Sequence, residues 1–418
     1  MARTLTSQDA HVIMGELVKQ ATGQKVLTSV DSSNFVSVGE KVLATGTENV
    51  INSLSVVLGR TFMAVRPYNA KLKIINTLNS AMFTNRIRKI SVYNKLPKAD
   101  GYFNTDLFTN LKNGYTNGQN TQADPKSTKS QWEQNQPIVS ERNFCGTSVW
   151  DDCLTIYENQ LKIAFQNEEE FTRFMNGIMT EKMNDIEMQK EAFNRLCMLN
   201  EICMVYDMSA SMKGSVVNLT KEFNTKYGTT HTSEELRTTY LKDFLAFMVS
   251  TIKNTSDFMT EKSVNYHWTD EKTVDGETYV LTRQTPKDRQ KLLMYQPLFT
   301  EATAMVLPEI FNDKYLKIEN YEGVNYWQSI ESKASVKGTP AVVDTTTGAQ
   351  KAGTAVELDF VVGLLYDTDA MMIDYQLERS ASTPVEARKG YRNIWWTFAK
   401  NIINDPTENA VLFIMKDE

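Results

Sequence analysis

The sequence is poor in cysteine and histidine. It has four cysteines and three histidines among 418 residues, and no two cysteines form a Cys-x-x-Cys pair. A structural zinc site usually needs four such ligands at short spacings, and small disulfide frameworks belong to much shorter chains. We therefore expect no metal, a reducing compartment, and cysteines that serve as buried apolar residues. The cysteines are Cys145, Cys153, Cys197 and Cys203.

Long apolar runs are also absent. No stretch approaches the roughly 20 apolar residues that a membrane-spanning helix needs. The N-terminal sequence MARTLTSQDAHVIMGEL lacks the charged-then-apolar pattern of a signal peptide. The formal net charge of -6 gives no overall attraction to nucleic acid or to an anionic membrane. The sequence therefore predicts a protein without membrane contact that is made and kept in a cytosol.

Catalytic motifs are missing as well. There is no GxxxxGK, no GxGxxG after a strand, no HExxH and no GxSxG. Carboxylates cluster at 151–152 and 168–170, where a solvated turn and a helix N-terminus explain them better than acid–base chemistry. Cys145 and His231 have the residue types of a nucleophile and its base, but a buried thiol is the simpler interpretation. His267, beside Trp268, is expected on the surface. We expect no enzymatic activity and no cofactor.

Proline does not occur from 138 to 285, and the longest periodic segment of the chain lies there, at 167–200. Apolar residues recur along it at helical spacing, Asn167 is a good N-cap, and the acidic run 168–170 suits the positive end of a helix. Such a helix would be roughly 50 Å long at 1.5 Å per residue. The stripe is too irregular for the heptads of a coiled coil. The segment therefore predicts a single long helix on which other elements are mounted.

Two substitutions test this prediction. A charge on the apolar stripe, Ile178→Asp, should prevent folding because it buries an unpaired carboxylate. Charge reversal on the face predicted to be polar, Lys182→Glu, should leave the subunit folded and at most impair assembly.

Residues 1–60 have the pattern of an arm. Amphipathic helices are predicted at 7–20 and at 47–58, joined by a polar link, with Ile13, Leu17 and Leu54 among their apolar residues. Two short helices bury little by themselves, so they need another surface on this chain or on a neighbouring one.

Alternating strands follow around a long polar segment. RIRKISVYN (86–94) and PIVSERNF (137–144) predict the two strands of a hairpin, and the polar residues 97–136 predict its extended tip. Residues 148–165 fit a strand or a helix. Arg86, Arg88, Lys89 and Lys95 form a candidate patch for an acidic partner, although a solvated strand face is the preferred interpretation.

The remainder predicts a mixed α/β region. We expect a buried strand at 202–210, a helix at 233–254 capped by Ser233, a hairpin at 266–283, and a flexible polar loop at 333–355. Strands are expected at 291–299, 356–367 and 369–378, and a final pair around a turn at Asp405–Pro406. Four aromatic residues near the C-terminus could stack on bases, but core packing or a subunit contact is more common for such a pattern. They are Tyr391, Trp395, Trp396 and Phe398.

This order of elements resembles the major capsid proteins of tailed bacteriophages, whose fold is shared with herpesvirus capsid floors. The two strands at 86–94 and 137–144 match the E-loop hairpin of that family, and EEEFTRFMNGIMTEKMNDIEMQKEAF matches its spine helix. KLLMYQPLFTEATAMVLPEIFN resembles the strand and helix of the axial domain. GYRNIWWTFAKNIINDPTENAVLFI resembles the closing strands, most closely those of short-tailed phages.

The resemblance implies an α+β fold and a structural role. It divides the chain into an N-terminal arm (1–60), the E-loop and start of the peripheral domain (61–147), the spine region (148–203), an axial domain (204–368) and returning C-terminal strands (369–418). It implies hexamers and pentamers of an icosahedral head around double-stranded DNA, a portal at one vertex, and non-specific DNA contact. Because only about 60 residues precede the E-loop region, it also implies a separate scaffolding protein.

Eight residues are candidate contacts between subunits, from the arm, the hairpin and its tip. They are Ile13, Leu17, Leu54, Arg86, Arg88, Lys89, Lys95 and Trp132. Two other classes of function stay open from the residues alone: an α/β enzyme with an unrecognised site, and another virion component such as a portal or tail protein.

Overall fold

A computed structural model describes residues 12, 14, 15, 18, 37–39, 72, 75–78, 86–93, 138–146, 148–157, 168–269, 271–274, 277–298, 300, 321–344 and 347–417. The predicted hairpin tip at 97–136, the helix predicted at 47–58, and residues 302–312, which include the helix matched to the axial domain, lie outside this set. Of the helix predicted at 7–20, the described residues 12, 14, 15 and 18 are helical. Side chains of 168–181 are likewise outside the description.

The described residues contain helices and strands in an α+β arrangement, which confirms the predicted fold class. The helices are α1 (Glu168–Asp207), α2 (Leu219–Tyr227), α3 (Ser233–Thr238) and α4 (Leu241–Phe258). The strands up to residue 300 are β1 (Asn76–Leu78), β2 (Arg86–Tyr93), β3 (Ile138–Cys145), β4 (Ser148–Tyr157), β5 (Val216–Asn218), β6 (Glu271–Val274), β7 (Glu277–Val280) and β8 (Gln290–Tyr295). The later strands are β9 (Tyr321–Val324), β10 (Val336–Gly338), β11 (Ala341–Val343), β12 (Gln350–Ala352), β13 (Val356–Leu358), β14 (Phe360–Asp367), β15 (Met371–Ser382), β16 (Tyr391–Asn404) and β17 (Ala410–Met415).

Two larger sheets organise the molecule. The first has the order β1-β15-β16-β4, and the second has the order β5-β17-β14-β8-β9. Helix α1 contacts β15 and β16 of the first sheet and β17 of the second. The long helix therefore joins the two sheets, as a spine would. Strands β2 and β3 form a separate antiparallel hairpin, confirming the predicted pair.

Helix α1 is longer at its C-terminal end than predicted, and the strand expected at 202–210 is wrong. Ile202, Met204 and Val205 are all at most 1% exposed, although they point in different directions around the helix. A helix end that is buried on all sides shows an unbroken apolar run, which periodicity cannot distinguish from a buried strand. The main core forms around this end of α1 and around β14 and β17.

The polar segment 333–355, predicted as a flexible loop, contains three short strands. β10 pairs with β13, and β11 pairs with β12, both antiparallel. Trp327, just before them, is fully buried and donates from Nε1 to the carbonyl oxygen of Val361, 2.9 Å away. The segment is therefore held by backbone pairing and by a bond from the backbone N–H of Trp327 to the carbonyl oxygen of Lys333 at 2.9 Å, neither of which an apolar pattern reveals.

The helix predicted at 233–254 is divided into α3 and α4 at Thr239 and Tyr240. Its N-cap is Thr232, one residue before the predicted Ser233. The Thr232 hydroxyl accepts from the backbone N–H of Glu235 at 3.2 Å, and the Glu235 carboxylate accepts from the backbone N–H of Thr232 at 2.9 Å. The two bonds form a reciprocal capping box.

Thr232→Ala should therefore lower the free energy of unfolding by about 1 kcal/mol, the usual cost of a lost N-cap. Ser233→Ala is the matched control and should change stability by much less, because the Ser233 hydroxyl is not the cap. Urea denaturation of both variants measures the difference. Equal losses in the two variants would contradict the assignment of the cap.

Lys182 was expected on a polar outer face of the spine, and this expectation is wrong. The residue is 9% exposed. Its ammonium lies 2.7 Å from Asp152 Oδ1 on β4, and Asp152 Oδ1 also accepts from the backbone N–H of Cys153 at 2.8 Å. Lys182→Glu would place two carboxylates together in a largely buried site, so this substitution cannot separate assembly from folding.

Lys182→Met should destabilise the subunit by about 2 kcal/mol, since it retains the aliphatic stem but removes the partner of a largely buried carboxylate. Lys337→Met is a suitable control because the Lys337–Glu357 pair is 72% and 66% exposed. Its effect should stay within about 0.5 kcal/mol. Chemical denaturation compares the two, and a loss as small for Lys182→Met as for the control would contradict the role given to Lys182.

Candidate functional site

The β2–β3 hairpin presents two different faces. Consecutive residues of a strand point to opposite sides, and the exposure of these residues alternates accordingly. The inner face packs against the body, with Tyr93 joining Tyr279 and Leu281 in a small apolar cluster. The outer face is exposed and carries Arg88, Ile90, Val92, Val139, Glu141, Asn143 and Cys145.

The base of the hairpin is fixed to the turn between β16 and β17 by an ionic cluster. Lys89 and Arg142 lie opposite each other on β2 and β3, so their side chains project side by side from the inner face. Lys89 Nζ binds carboxylate oxygens of both Asp405 and Glu408, and Arg142 Nη1 lies 3.5 Å from Asp405 Oδ1. One buried carboxylate thus holds both strands of the hairpin. We call Lys89, Arg142, Arg283, Asp405 and Glu408 the hairpin clamp.

Arg283 adds a third cation from the body of the protein. Its guanidinium lies 3.2 Å from Glu408 Oε1, donates to Ser91 Oγ on β2 at 3.2 Å, and donates to the carbonyl oxygen of Thr407 at 3.1 Å. Arg142 also stacks on Trp268, with its guanidinium carbon 4.9 Å from the ring centroid. The clamp therefore joins hairpin, turn and body through hydrogen bonds directed by planar guanidinium groups.

The turn is preorganised by its own sequence. Asp405 Oδ1 accepts from the backbone N–H of Thr407 at 3.0 Å and from its hydroxyl at 2.7 Å. The backbone N–H of Trp268 donates to the carbonyl oxygen of Pro406 at 2.6 Å. An aspartate that bonds the backbone two residues onward is a common turn-forming device. The carboxylate of Asp405 is thereby also held by bonds from within the turn.

The electrostatics of the two clamp carboxylates differ. Burial alone would raise the pKa of Asp405, but Lys89 and Arg142 outweigh burial and hold the pKa below its usual value. Burial raises the pKa of Glu408, and the attraction of Lys89 and Arg283 offsets this only in part. Asp405, whose side chain is fully buried, is therefore the carboxylate that the clamp keeps charged.

A partly buried polar network continues from the clamp to the spine. The Asn404 side-chain amide donates to Glu201 Oε2 at 2.8 Å and to the carbonyl oxygen of Cys197 at 3.1 Å. Asn200 donates to Asn404 Oδ1 at 2.9 Å and accepts from the backbone N–H of Ala341 at 2.8 Å. Burial raises the pKa of Glu201 to about 8, against the opposing hydrogen bond from Asn404. Burial thus favours the neutral form of Glu201, which connects the spine to the residue preceding Asp405.

A groove of about 480 Å³ opens beside the clamp. Its floor is formed by α1 and by the end of β16, one wall by residues 142–145 of β3, and the other by residues of the β11–β12 pair. The floor residues are Leu196, Asn200, Met204, Ile402 and Asn404. We call this the inter-hairpin groove.

The candidate contact residues have different positions. Arg88 is exposed and pairs with Glu141 across the hairpin at 2.7 Å, while Lys89 is used within the chain by the clamp. Arg86 lies at the start of β2. Lys95, Trp132, Ile13, Leu17 and Leu54 lie outside the described residues. The cationic patch predicted on one surface is therefore divided between the two faces of the hairpin.

The residues weighed for catalysis are placed separately. His231 stacks on Tyr240, with ring centroids 4.0 Å apart, while Cys145 is exposed in the wall of the groove. His267, expected on the surface, is fully buried, with ring nitrogens 2.8 and 3.2 Å from the carbonyl oxygens of Asn265 and Leu281. Burial lowers its pKa. Within the described ranges, no group of three or more metal-ligating side chains occurs.

The aromatic residues near the C-terminus are divided between core and surface. Trp396 and Phe398 are buried on the face of the first sheet that packs on α1, and Phe398 stacks on Trp150 at 4.3 Å. Trp395 points to the opposite face and is 41% exposed. Core packing therefore accounts for the two buried rings, and the Trp395 ring remains partly exposed.

Sequence reasoning missed Asp405, Glu408, Arg142 and Arg283 as functional residues. The one available signal was the sequence Asp-Pro-Thr-Glu at 405–408. It predicted a turn but not the cationic side chains that bind there. No helix in the described part of the chain has the length and apolar character to span a bilayer.

Comparisons with known proteins identify the family. No curated protein sequence is significantly similar to this chain. Among solved structures, a chain of the capsid structure of Staphylococcus phage Andhra is 10% identical, with a TM-score of 0.47 over 84% of this chain and 88% of that chain. A chain from Mycobacterium phage Cain is 10% identical, with a TM-score of 0.41 over 86% and 94%. The family model of the Phi29-like phage major capsid protein matches residues 119–414. Because this match covers well over half of the chain, the protein belongs to the Phi29-like phage major capsid protein family and is a structural protein of the virion shell.

Proposed function

We propose that this chain assembles as hexamers and pentamers into an icosahedral phage head that encloses double-stranded DNA. The observation that supports this most directly is the two-faced hairpin. Its inner face is held by the clamp, and its outer face exposes Ile90, Val92 and Val139 at 58%, 55% and 60%. A rigidly mounted ribbon with neighbouring exposed aliphatic residues is suited to contact another subunit.

The proposal divides the chain as the capsid resemblance implies. Residues 1–60 are the arm, 61–147 the E-loop region, 148–203 the spine region, 204–368 the axial domain, and 369–418 the returning strands. Strand β16 pairs with β15 and with β4 beside the spine, while β17 pairs with β14 and β5. We therefore assign β17 to the axial sheet, so that the last strands connect the two domains.

The proposed partners follow from the same role. The chain contacts other copies of itself, a separate scaffolding protein during assembly in the host cytoplasm, a portal at one vertex, and the packaged DNA without sequence preference. A net charge of -6 suits a container that should not bind its DNA tightly. The candidate contacts that remain for neighbouring subunits are Arg86, Arg88, Lys95, Trp132 and the apolar residues of the arm.

Negative-stain electron microscopy tests this proposal. The protein is expressed alone and together with a candidate scaffolding protein from the same phage, and closed shells are the expected product of at least one preparation. A compact species that stays monomeric in both preparations would contradict the proposal. A closed ring of subunits would favour a portal instead.

A further inference from the structure

Two polar side-chain atoms inside the junction of the spine with the sheets have no hydrogen-bond partner in the described part of the chain. They are Oε1 of Glu201 and the hydroxyl oxygen of Tyr366, and both residues are completely buried. Buried polar groups without a partner are rare in folded proteins, because such a group has lost its bonds to water without replacing them. The two atoms therefore point to a partner that is not part of the chain.

Both atoms belong to one region of the core. Cys197 and Glu201 are one turn apart on α1 and so lie on the same face of the spine. Tyr366 is the residue before the last of β14, and the short turn 368–370 leads to β15, whose first residue pairs with Asn404. The Asn404 amide in turn donates to Glu201 Oε2 at 2.8 Å. Burial raises the pKa of Tyr366, and Cys197 and Glu201 are among the groups whose negative charge would raise it further. The Tyr366 hydroxyl therefore faces this side of the spine.

The surrounding groups identify the chemistry of the missing partner. Burial favours the neutral acid at Glu201, and it raises the pKa of the Cys197 thiol and of the Tyr366 hydroxyl. Neutral groups do not compensate the cost of burying an ion, so the partner is neutral. Because Glu201 Oε2 accepts from Asn404, the proton of the neutral acid is best placed on Oε1, which then donates. The partner must accept that proton and also bond a hydroxyl group, and water does both.

We propose that this junction binds one structural water molecule, which bridges Glu201 on the spine and Tyr366 on β14. The water accepts from Glu201 Oε1 and donates to the hydroxyl oxygen of Tyr366. Buried waters typically make about three hydrogen bonds, and the Cys197 sulfur, a weak acceptor, is on the same face of the spine. Asn404 continues the network from Glu201 to β16. The bound water therefore helps to join the spine to both of the larger sheets.

Tyr366→Phe tests the proposal by the sign of its effect. Phenylalanine keeps the ring and removes only the hydroxyl. A hydroxyl bridged by water is a satisfied group, so its loss should raise the equilibrium constant for unfolding about fivefold. An unpaired buried hydroxyl destabilises the folded protein, so its removal would instead lower this constant. Urea denaturation of both proteins measures the constant, and an unchanged or lower value in Tyr366→Phe would overturn the proposal.

Tyr157→Phe is the matched control. Tyr157 is 46% exposed, so its hydroxyl has access to bulk water in the folded protein. Its loss should change the equilibrium constant for unfolding by no more than about twofold.

A density map of the wild-type protein provides a second measurement that needs no variant. At a resolution that shows ordered waters, a peak should lie about 2.6–3.2 Å from both Glu201 Oε1 and the Tyr366 hydroxyl oxygen. A map in which the two oxygens bond each other directly, or in which no peak lies between them, would overturn the proposal. The site lies within one subunit, so both measurements can be made on free subunits and do not depend on the proposed function.

Discussion

Asp405→Asn is expected to destabilise the free subunit by about 3 kcal/mol and to release the base of the hairpin, because it removes one partner from a buried charge pair. The Asp405 side chain is fully buried and binds Lys89 and Arg142, whose side chains are 21% and 18% exposed. Asparagine retains the size of the side chain and an acceptor for Thr407. What it removes is the negative charge that compensates two cations with little access to water.

Hydrogen exchange locates the effect. In the wild type, amides of β2 and β3 should exchange slowly, and in Asp405→Asn they should exchange faster than amides of the second sheet. Glu141→Gln is the control, since it breaks the exposed Arg88–Glu141 pair of the same hairpin. That loss should stay below about 1 kcal/mol. Wild-type protection of the hairpin in Asp405→Asn would show that the clamp does not hold it.

The clamp also predicts how the stability of the subunit changes as the pH falls. The pKa of Asp405 is lowered in the folded state from an ordinary value of 3.8. A carboxylate with a lowered pKa contributes stability above its unfolded pKa and loses it as the pH falls through the folded pKa. The contribution of Asp405 is therefore complete at neutral pH and disappears only in strong acid. The stability of Asp405→Asn should therefore be closer to that of the wild type at very low pH than at pH 7.

The elements that sequence reasoning predicted well are those whose signal is local. Helical spacing predicted the helix that runs through 168–200, and alternation in β2 and β3 matches the alternating exposure of the two hairpin faces. The resemblance to phage major capsid proteins, drawn from the order of these elements, is confirmed at the level of the family. Residues 202–207 were misassigned because the helix end is buried between two sheets, where amphipathicity disappears.

The clamp could not be predicted because its partners are distant in sequence. Lys89 and Asp405 are 316 positions apart. Arg88 and Lys89 are adjacent and both cationic, so the pattern alone does not show which one faces the body. Only the placement of the β16–β17 turn under the hairpin decides that Lys89 is internal and that Arg88 is free to face solvent.

Glu201→Gln is expected to stabilise the subunit at neutral pH, in contrast to most changes of a buried hydrogen-bonded residue. Burial raises the pKa of Glu201 from 4.5 to about 8, Asn404 lowers it, and nearby Asp405 raises it again. Between these two values the unfolded chain has released the proton while the folded chain still holds it. Because the unfolded state then binds fewer protons, stability falls as the pH rises from 4.5 to about 8, and it levels off above.

The size of the effect follows from the width of this window. Each pH unit crossed costs about 1.36 kcal/mol, so at pH 7 the wild type carries a penalty of about 3 kcal/mol that glutamine lacks. Glutamine preserves an acceptor for the Asn404 amide and, like the protonated acid, has a donor. At pH 4.5 the two proteins should therefore be nearly equal in stability.

Urea denaturation of both proteins from pH 4.5 to 8 tests this expectation. Glu357→Gln, which alters a carboxylate that is 66% exposed, should keep the wild-type dependence on pH. The same slope in Glu201→Gln as in the wild type would show that Glu201 is ionised in the folded protein. If stability no longer falls with rising pH in Glu201→Gln, Glu201 is a neutral acid in the folded wild type, at the point where Asn404 connects the spine to Asp405. A negative charge on Glu201 would also be repelled by Asp405, which adds to the effect of burial in favouring the neutral acid.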